Sequence, residues 1–140
     1  MGAAVRFRDQ KGDWVGTAVL ILLAEDESLI ALSIEEALED GGFAVLTAES
    51  GEDALAVIDG GGHIFLGLIT DVRLGGGADG WDVARRAREV FPNIAVVYMS
   101  GDSAAEHRSR GVPGSLMVQK PFATAQIVNA IAALLDPPAQ

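Results

Sequence analysis

"LITDVRLGGGADGWDVARRA", Leu68 to Ala87, decides between two folds. A hydrophobic strand runs into three consecutive glycines and then into a helix. Gly75, Gly77 and Gly80 satisfy G-x-G-x-x-G, the pattern that lets a backbone cradle a pyrophosphate at a helix N-terminus. Yet the strand ends on a carboxylate, Asp71, where that pyrophosphate would have to approach. In a dinucleotide fold the loop follows the first strand, whereas here it follows the third. The match to the fingerprint is therefore read as coincidental. Asp71 holds the chemistry, and the glycines shape the loop beside it.

Around this stretch, short apolar runs alternate with amphipathic ones. "AVLILLA" (18–24), "FAVLTA" (43–48), "IFLGLITD" (64–71), "IAVVYMS" (94–100) and "SLMVQ" (115–119) read as five strands. Between them lie helical patterns. The first puts Ile30, Ile34, Ala37 and Leu38 on one face, Glu35, Glu36 and Glu39 on the other, and stops at Gly41-Gly42. A short second helix follows in "GEDALAVIDGGG". The third, over 79–91, buries Val83, Ala84, Ala87, Val90 and Phe91 and halts before Pro92. A weak polar helix is expected in "DSAAEHRSRG". The last starts at Ala123 and carries Ile127, Val128, Ile131, Leu134 and Leu135 at helical spacing. Regular strand–helix alternation predicts an α/β fold, a parallel sheet with helices on both faces. Residues 18–136 form the domain. Residues 1–17, without a sustained period and locally basic, read as an extension outside the fold, and 137–140 as a tail.

With 140 residues and 49% hydrophobic content, one domain with a proper core is expected. The absence of cysteine excludes disulfides, thiolate metal sites and Cys nucleophiles. A net charge of −10 argues against a nucleic-acid surface and suits cations and basic partners. No apolar run approaches the ~20 residues that span a bilayer, and charges break the first residues as a signal peptide. The expectation is a cytoplasmic soluble protein, with no membrane and no nucleic acid among its partners.

In open parallel sheets, ligands bind beyond the carboxyl ends of the strands. The first strand ends in Glu25-Asp26, the third in Asp71, the fourth in Ser100, and the fifth runs into Lys120-Pro121. Each has a bland explanation as a helix-dipole acid, a capping Asp, a turn Ser or a solvated Lys. Together they form three carboxylates, a hydroxyl and an ammonium on one rim. Clustered carboxylates need a cation, and hard oxygen ligands suit Mg²⁺. A carboxylate beside Mg²⁺ and a lysine can attack phosphorus and form an acyl phosphate.

These residues resemble the receiver domain of bacterial two-component response regulators, the group that includes the chemotaxis response regulator. The resemblance covers Val19 to Leu135 and rests on "LLAEDE", "LITDVRL", "VYMSGDS" and "QKPF" in the family's order. It implies a flavodoxin-like fold with strand order 2-1-3-4-5. It implies an acidic pocket of Glu25 and Asp26, the phosphoacceptor Asp71, the switch hydroxyl Ser100 and the phosphate-pairing Lys120. A cis Lys120-Pro121 bond is expected, and the Arg73 backbone carbonyl would join Glu25, Asp26 and Asp71 around Mg²⁺. Three departures stand out. Gly75 replaces the usual proline four residues past Asp71, in a loop one residue longer. Met117 replaces the aromatic of the fifth strand, so a rotating Tyr or Phe cannot be the readout. "HRSRGVPGS" (107–115) departs from the common Gly-Ala pattern.

The function implied is a stand-alone phosphorylatable switch. It would take phosphate from a histidine kinase or histidine phosphotransfer protein and signal to a downstream protein by contact. Catalysis would be limited to its own phosphorylation and dephosphorylation. Alternatives are a non-phosphorylated interaction domain, an aspartyl-phosphate phosphatase and a nucleotide-dependent oxidoreductase. The phosphatase lacks a second Asp where Arg73 stands; the oxidoreductase rests on the three glycines alone. The last helix, uncharged between Lys120 and Asp136, reads as an Ala-rich core helix or as a face for a homodimer or a partner. His63 and His107 read as surface residues, and Trp81 as packing the third helix against the loop.

Overall fold

Apolar runs without a polar face become strands covered on both sides, and the amphipathic stretches between them become the covering helices. The computed structural model, which describes residues 5–8 and 14–135, begins with β1 (Val5–Arg8) and β2 (Trp14–Ala18), then β3 (Leu20–Ala24) and α1 (Ser28–Asp40). There follow β4 (Ala44–Ala48), α2 (Gly51–Asp59), β5 (Gly67–Asp71) and α3 (Gly80–Val90). The chain closes with β6 (Ala95–Ser100), a 3₁₀ turn (Ala104–Glu106) leading into α4 (His107–Arg110), β7 (Leu116–Gln119) and α5 (Thr124–Leu135).

The five strands read from the sequence form one parallel sheet in the order β4-β3-β5-β6-β7, which is 2-1-3-4-5 when counted from β3. The segment read as an extension holds two strands outside the main sheet. β1 and β2 pair antiparallel into a two-stranded sheet of their own, and Ala18 belongs to β2 rather than to the first strand of the main sheet. The tail 137–140 lies outside the described residues.

Alternation of side chains along each strand divides the core in two. Ile21, Leu23, Ile69, Val97 and Met99 point to the face covered by α1 and α5, where they meet Ile34, Leu38, Ile127 and Ile131. Leu22, Ala24, Leu68, Val96 and Tyr98 point to the opposite face, under Ala54, Ile58, Val83, Ala84 and Ala87. β3, β5 and β6 are buried along their whole length. β7 is not: it is an edge strand of the sheet, and Leu116, in register with Val97, is 40% exposed.

One burial expectation changes: Val90 is exposed and Phe91 half-buried, at the last turn of α3. Trp81 shares a cleft with the loop residues Leu74, Gly75 and Gly77 and is buried, with its ring 4.6 Å from that of Tyr98 and the Arg110 guanidinium over it.

The start of α3 fixes the loop. Asp79 accepts from the Asp82 N–H at 3.0 Å while Asp82 accepts from the Asp79 N–H at 3.1 Å, a reciprocal cap. One residue later, Gly80 donates its N–H to the Val72 carbonyl at 2.8 Å. A Cβ there would overlap the Asp71 carbonyl and stand 2.8 Å from Val72 Cα. The third glycine of the pattern thus serves a close helix–strand approach. Gly75 and Gly77, with φ of 78° and 94°, serve the turn. Gly80→Ala is expected to destabilise the fold by about 1–3 kcal/mol through overpacking against backbone. Gly76→Ala, where a Cβ meets nothing within 4 Å, should leave the midpoint of urea unfolding close to wild type. Equal midpoints for the two variants would refute the close-approach account.

Candidate functional site

The register of the parallel sheet brings the strand ends to one rim. Ala24 pairs with Thr70, so Glu25 stands beside Asp71. Asp71 pairs with Met99, and Ser100 with Gln119, next to Lys120. All the residues named from the sequence as site residues therefore arrive together, and the Lys120-Pro121 bond is cis.

Asp71, 6% exposed, is held from two sides. Its Oδ2 accepts from Lys120 Nζ at 2.7 Å and its Oδ1 from the Arg73 N–H at 3.3 Å. One oxygen each of Glu25, Asp26 and Asp71 lies within 4.8 Å of the others, and these three groups could hold a metal ion. Asp26 is exposed, while Glu25 is only 1% exposed. Glu25 Oε2 accepts from the Glu27 N–H at 3.1 Å, but its Oε1 is buried with no hydrogen-bond partner among the described residues. A buried carboxylate oxygen without a donor is costly, and a divalent cation is the group that would satisfy it. The residues fit Mg²⁺.

The electrostatics follow. Burial pushes the Glu25 carboxyl up to about 7; the Asp71 charge adds to this, while the Glu27 N–H and Lys120 oppose it. Burial works to lower the Lys120 ammonium, but the hydrogen bond and charge of Asp71, with Glu25 behind it, outweigh that and hold it above its ordinary value.

Ser100 is 2% exposed, and its Oγ accepts from the N–H groups of Asp102 and Ser103 at 3.2 and 2.8 Å. The Arg73 side chain pairs with Asp102, Nε to Oδ1 at 3.1 Å and Nη2 to Oδ2 at 2.7 Å. Sequence reasoning passed over Asp102, although it lies inside "VYMSGDS", two residues past Ser100. It also passed over Glu52, which accepts from the Ala78 N–H at 2.6 Å and so ties the glycine loop to α2. A cleft of about 500 Å³ opens over the rim, lined by Asp26, Asp71, Arg73, Ser100, Asp102 and Lys120 among others.

The remaining candidates fall elsewhere. His63 is exposed beside Phe65. His107 is half-buried, with Nε2 2.9 Å from Ser115 Oγ and its ring against Tyr98. Met117 pairs with Tyr98 across β6 and β7, and the Tyr98 hydroxyl accepts from the Val112 N–H at 3.1 Å. An aromatic ring thus occupies this side of the sheet from β6 rather than from β7. On α5, Gln126, Asn129 and Ala133 are exposed, as an uncharged outer face requires. Among the described residues no helix is long and apolar enough to cross a membrane.

Comparison with known proteins agrees with the fold. The response regulator receiver domain family matches residues 21–132. A response regulator receiver protein of Anaeromyxobacter sp. (strain Fw109-5) is 37% identical over 107 residues, 76% of this chain and 42% of that protein. The response regulator receiver protein CpdR of Brucella abortus is 32% identical over 117 residues, 82% of this chain and 95% of that one. The chain spans 42% of the length of the first of these relatives and 14% of another, the sensor kinase CckA of Brucella abortus. Among solved structures, a response regulator receiver protein from Sinorhizobium medicae WSM419 superposes with a TM-score of 0.82 at 44% identity, covering 86% of this chain and 96% of that one.

The buried Glu25 carboxyl has a measurable consequence for the metal-free protein. Its folded-state pKa of about 7 lies above the ordinary 4.5, so the proton it holds is stabilising. That contribution is complete below pH 4.5 and is lost as the pH rises through about 7. In EDTA, wild type should therefore lose stability across this interval relative to Glu25→Gln, whose amide does not titrate. Urea midpoints measured over the interval check this, and parallel curves for the two proteins would contradict it.

Proposed function

The chain belongs to the response regulator receiver domain family, and from that premise we propose that it is a phosphorylatable switch that accepts a phosphoryl group on Asp71 with Mg²⁺. The observation that carries the proposal is the meeting of three carboxylates within 4.8 Å of one another with Lys120 Nζ 2.7 Å from Asp71. Charge packed this tightly is costly for folding alone, and it suits a reaction that brings a cation and a phosphoryl group to the same rim.

In this reading a histidine kinase or histidine phosphotransfer protein presents a phosphohistidine at the cleft. The Asp71 carboxylate attacks phosphorus, an O–P bond forms, the P–N bond breaks, and the donor imidazole leaves with the electron pair. Glu25, Asp26, Asp71 and the Arg73 backbone carbonyl would hold Mg²⁺, which when bound neutralises charge on the phosphoryl oxygens. Lys120 pairs with those oxygens once they replace its bond to Asp71, and the Ser100 hydroxyl donates to one of them. Water later hydrolyses the acyl phosphate and regenerates the carboxylate. The chain's chemistry is confined to this cycle. Its output is contact with a downstream protein in the cytoplasm, through a shift between conformations that the phosphoryl group biases. The uncharged face of α5 is available for that contact or for a homodimer.

With Mg²⁺ and acetyl phosphate, wild type should gain a single phosphoryl group by intact-mass measurement, and Asp71→Asn none. Lys120→Ala should be phosphorylated at least ten times more slowly, on the order of what a lost charge contact to a transferring phosphoryl group costs. A wild type that gains no phosphoryl group, or an Asp71→Asn variant that still does, would refute the assignment.

A further inference from the structure

We propose that Asp102 is a positioning residue that keeps the anion site closed in the resting protein, by holding the Arg73 guanidinium and the Ser100 hydroxyl away from a phosphoryl group on Asp71. The inference rests on the reading of Asp71 as phosphoacceptor and adds a competitor for the donors of that same site.

The geometry is a shared set of donors. Arg73 lies two residues beyond Asp71, and its guanidinium meets Asp102 through two parallel bonds of 3.1 and 2.7 Å, the fork geometry that suits carboxylate and phosphate alike. Asp102 Oδ1 also accepts from the Ser103 hydroxyl at 3.1 Å and from the Ser100 hydroxyl at 3.5 Å. Ser100 Oγ is held in turn by the N–H groups of Asp102 and Ser103. Asp71, Arg73, Ser100, Asp102 and Lys120 all line one cleft. In the resting protein the two carboxylates therefore have separate cations: Lys120 for Asp71 and Arg73 for Asp102.

A phosphoryl group disturbs this arrangement. It brings close to two negative charges and three acceptor oxygens into a cleft that Asp102 also lines. Arg73 and Ser100 can donate to the phosphoryl group or to Asp102, but a fork already closed on one carboxylate is not free for the other anion. The exchange is cheap because the ion pair is exposed, with side chains 74% and 58% accessible, so water takes up whichever partner is released. Asp102 then subtracts from the site's affinity for a phosphoryl group by competing for these donors. A purely structural ion pair between the two loops would leave that affinity unchanged.

Beryllofluoride, which mimics a phosphoryl group on a carboxylate, separates the two cases. Its affinity for the full chain at saturating Mg²⁺ is compared for wild type, Asp102→Asn, Arg73→Ala and the double variant, with urea midpoints confirming that each is folded. Asp102→Asn should bind two- to fivefold more tightly, on the order of what exposed ion pairs measure, and most of that gain should vanish in the Arg73→Ala background. A wild type that binds while Asp102→Asn binds equally or more weakly overturns the inference and leaves Asp71 in its role. A gain of the same size without Arg73 overturns it as well. A wild type that does not bind beryllofluoride overturns the Asp71 reading and this one together.

Discussion

Three carboxylates within 4.8 Å repel one another, and the rim can exist only because a cation answers them. Lys120 does so at 2.7 Å from Asp71, and the order of the sheet explains why a lysine is needed. It follows β7, two strands from β5, so its ammonium has to cross about 10 Å of sheet. Only a long side chain manages that. Ser100, on the neighbouring β6, is one strand spacing away and can be short. Glu25 and Asp26 follow β3, the other neighbour of β5, and are likewise one strand spacing away.

Charge is segregated around this centre. Between residues 12 and 72 the chain has no lysine or arginine, while α1 and α2 carry Glu35, Glu36, Glu39, Asp40, Glu52, Asp53 and Asp59. Arg85, Arg86, Arg88, Arg108 and Arg110 sit on α3 and α4. Arg73 stands at the border, just past the end of β5. The resulting field is dipolar rather than uniformly acidic, and it reaches roughly a Debye length, about 8–10 Å, into solution.

The strands and the five rim residues were legible because they obey rules of short range and fixed period, while the strand order came from the family resemblance. Buried strands read as apolar runs, and parallel strands deliver their C-terminal residues to one edge. What escaped depends on loops. The Arg73–Asp102 pair joins residues 29 apart through two irregular segments, and no periodicity brings them together. Glu52 was readable as an acid in the first turn of α2, favoured by the helix dipole. Its bond to the Ala78 N–H depends on how the glycine loop folds back. The burial of Trp81 was hidden because the ring lies in the first turn of α3 and finds its partner, Tyr98, on β6. The pairing of β1 and β2 was hidden because Val5–Arg8 alternates over only four residues and Trp14–Ala18 does not alternate at all.

The absence of a side chain at Gly80 has a mechanical meaning. The first turn of α3 sits directly on the peptide of Asp71, with no compressible methyl between helix and strand. Close-packed interiors resist compression and transmit strain, so α3 acts as a stiff rod with its tip against Asp71. Load applied along that rod, at the exposed end near Val90 for instance, is delivered to the Asp71 backbone rather than absorbed on the way.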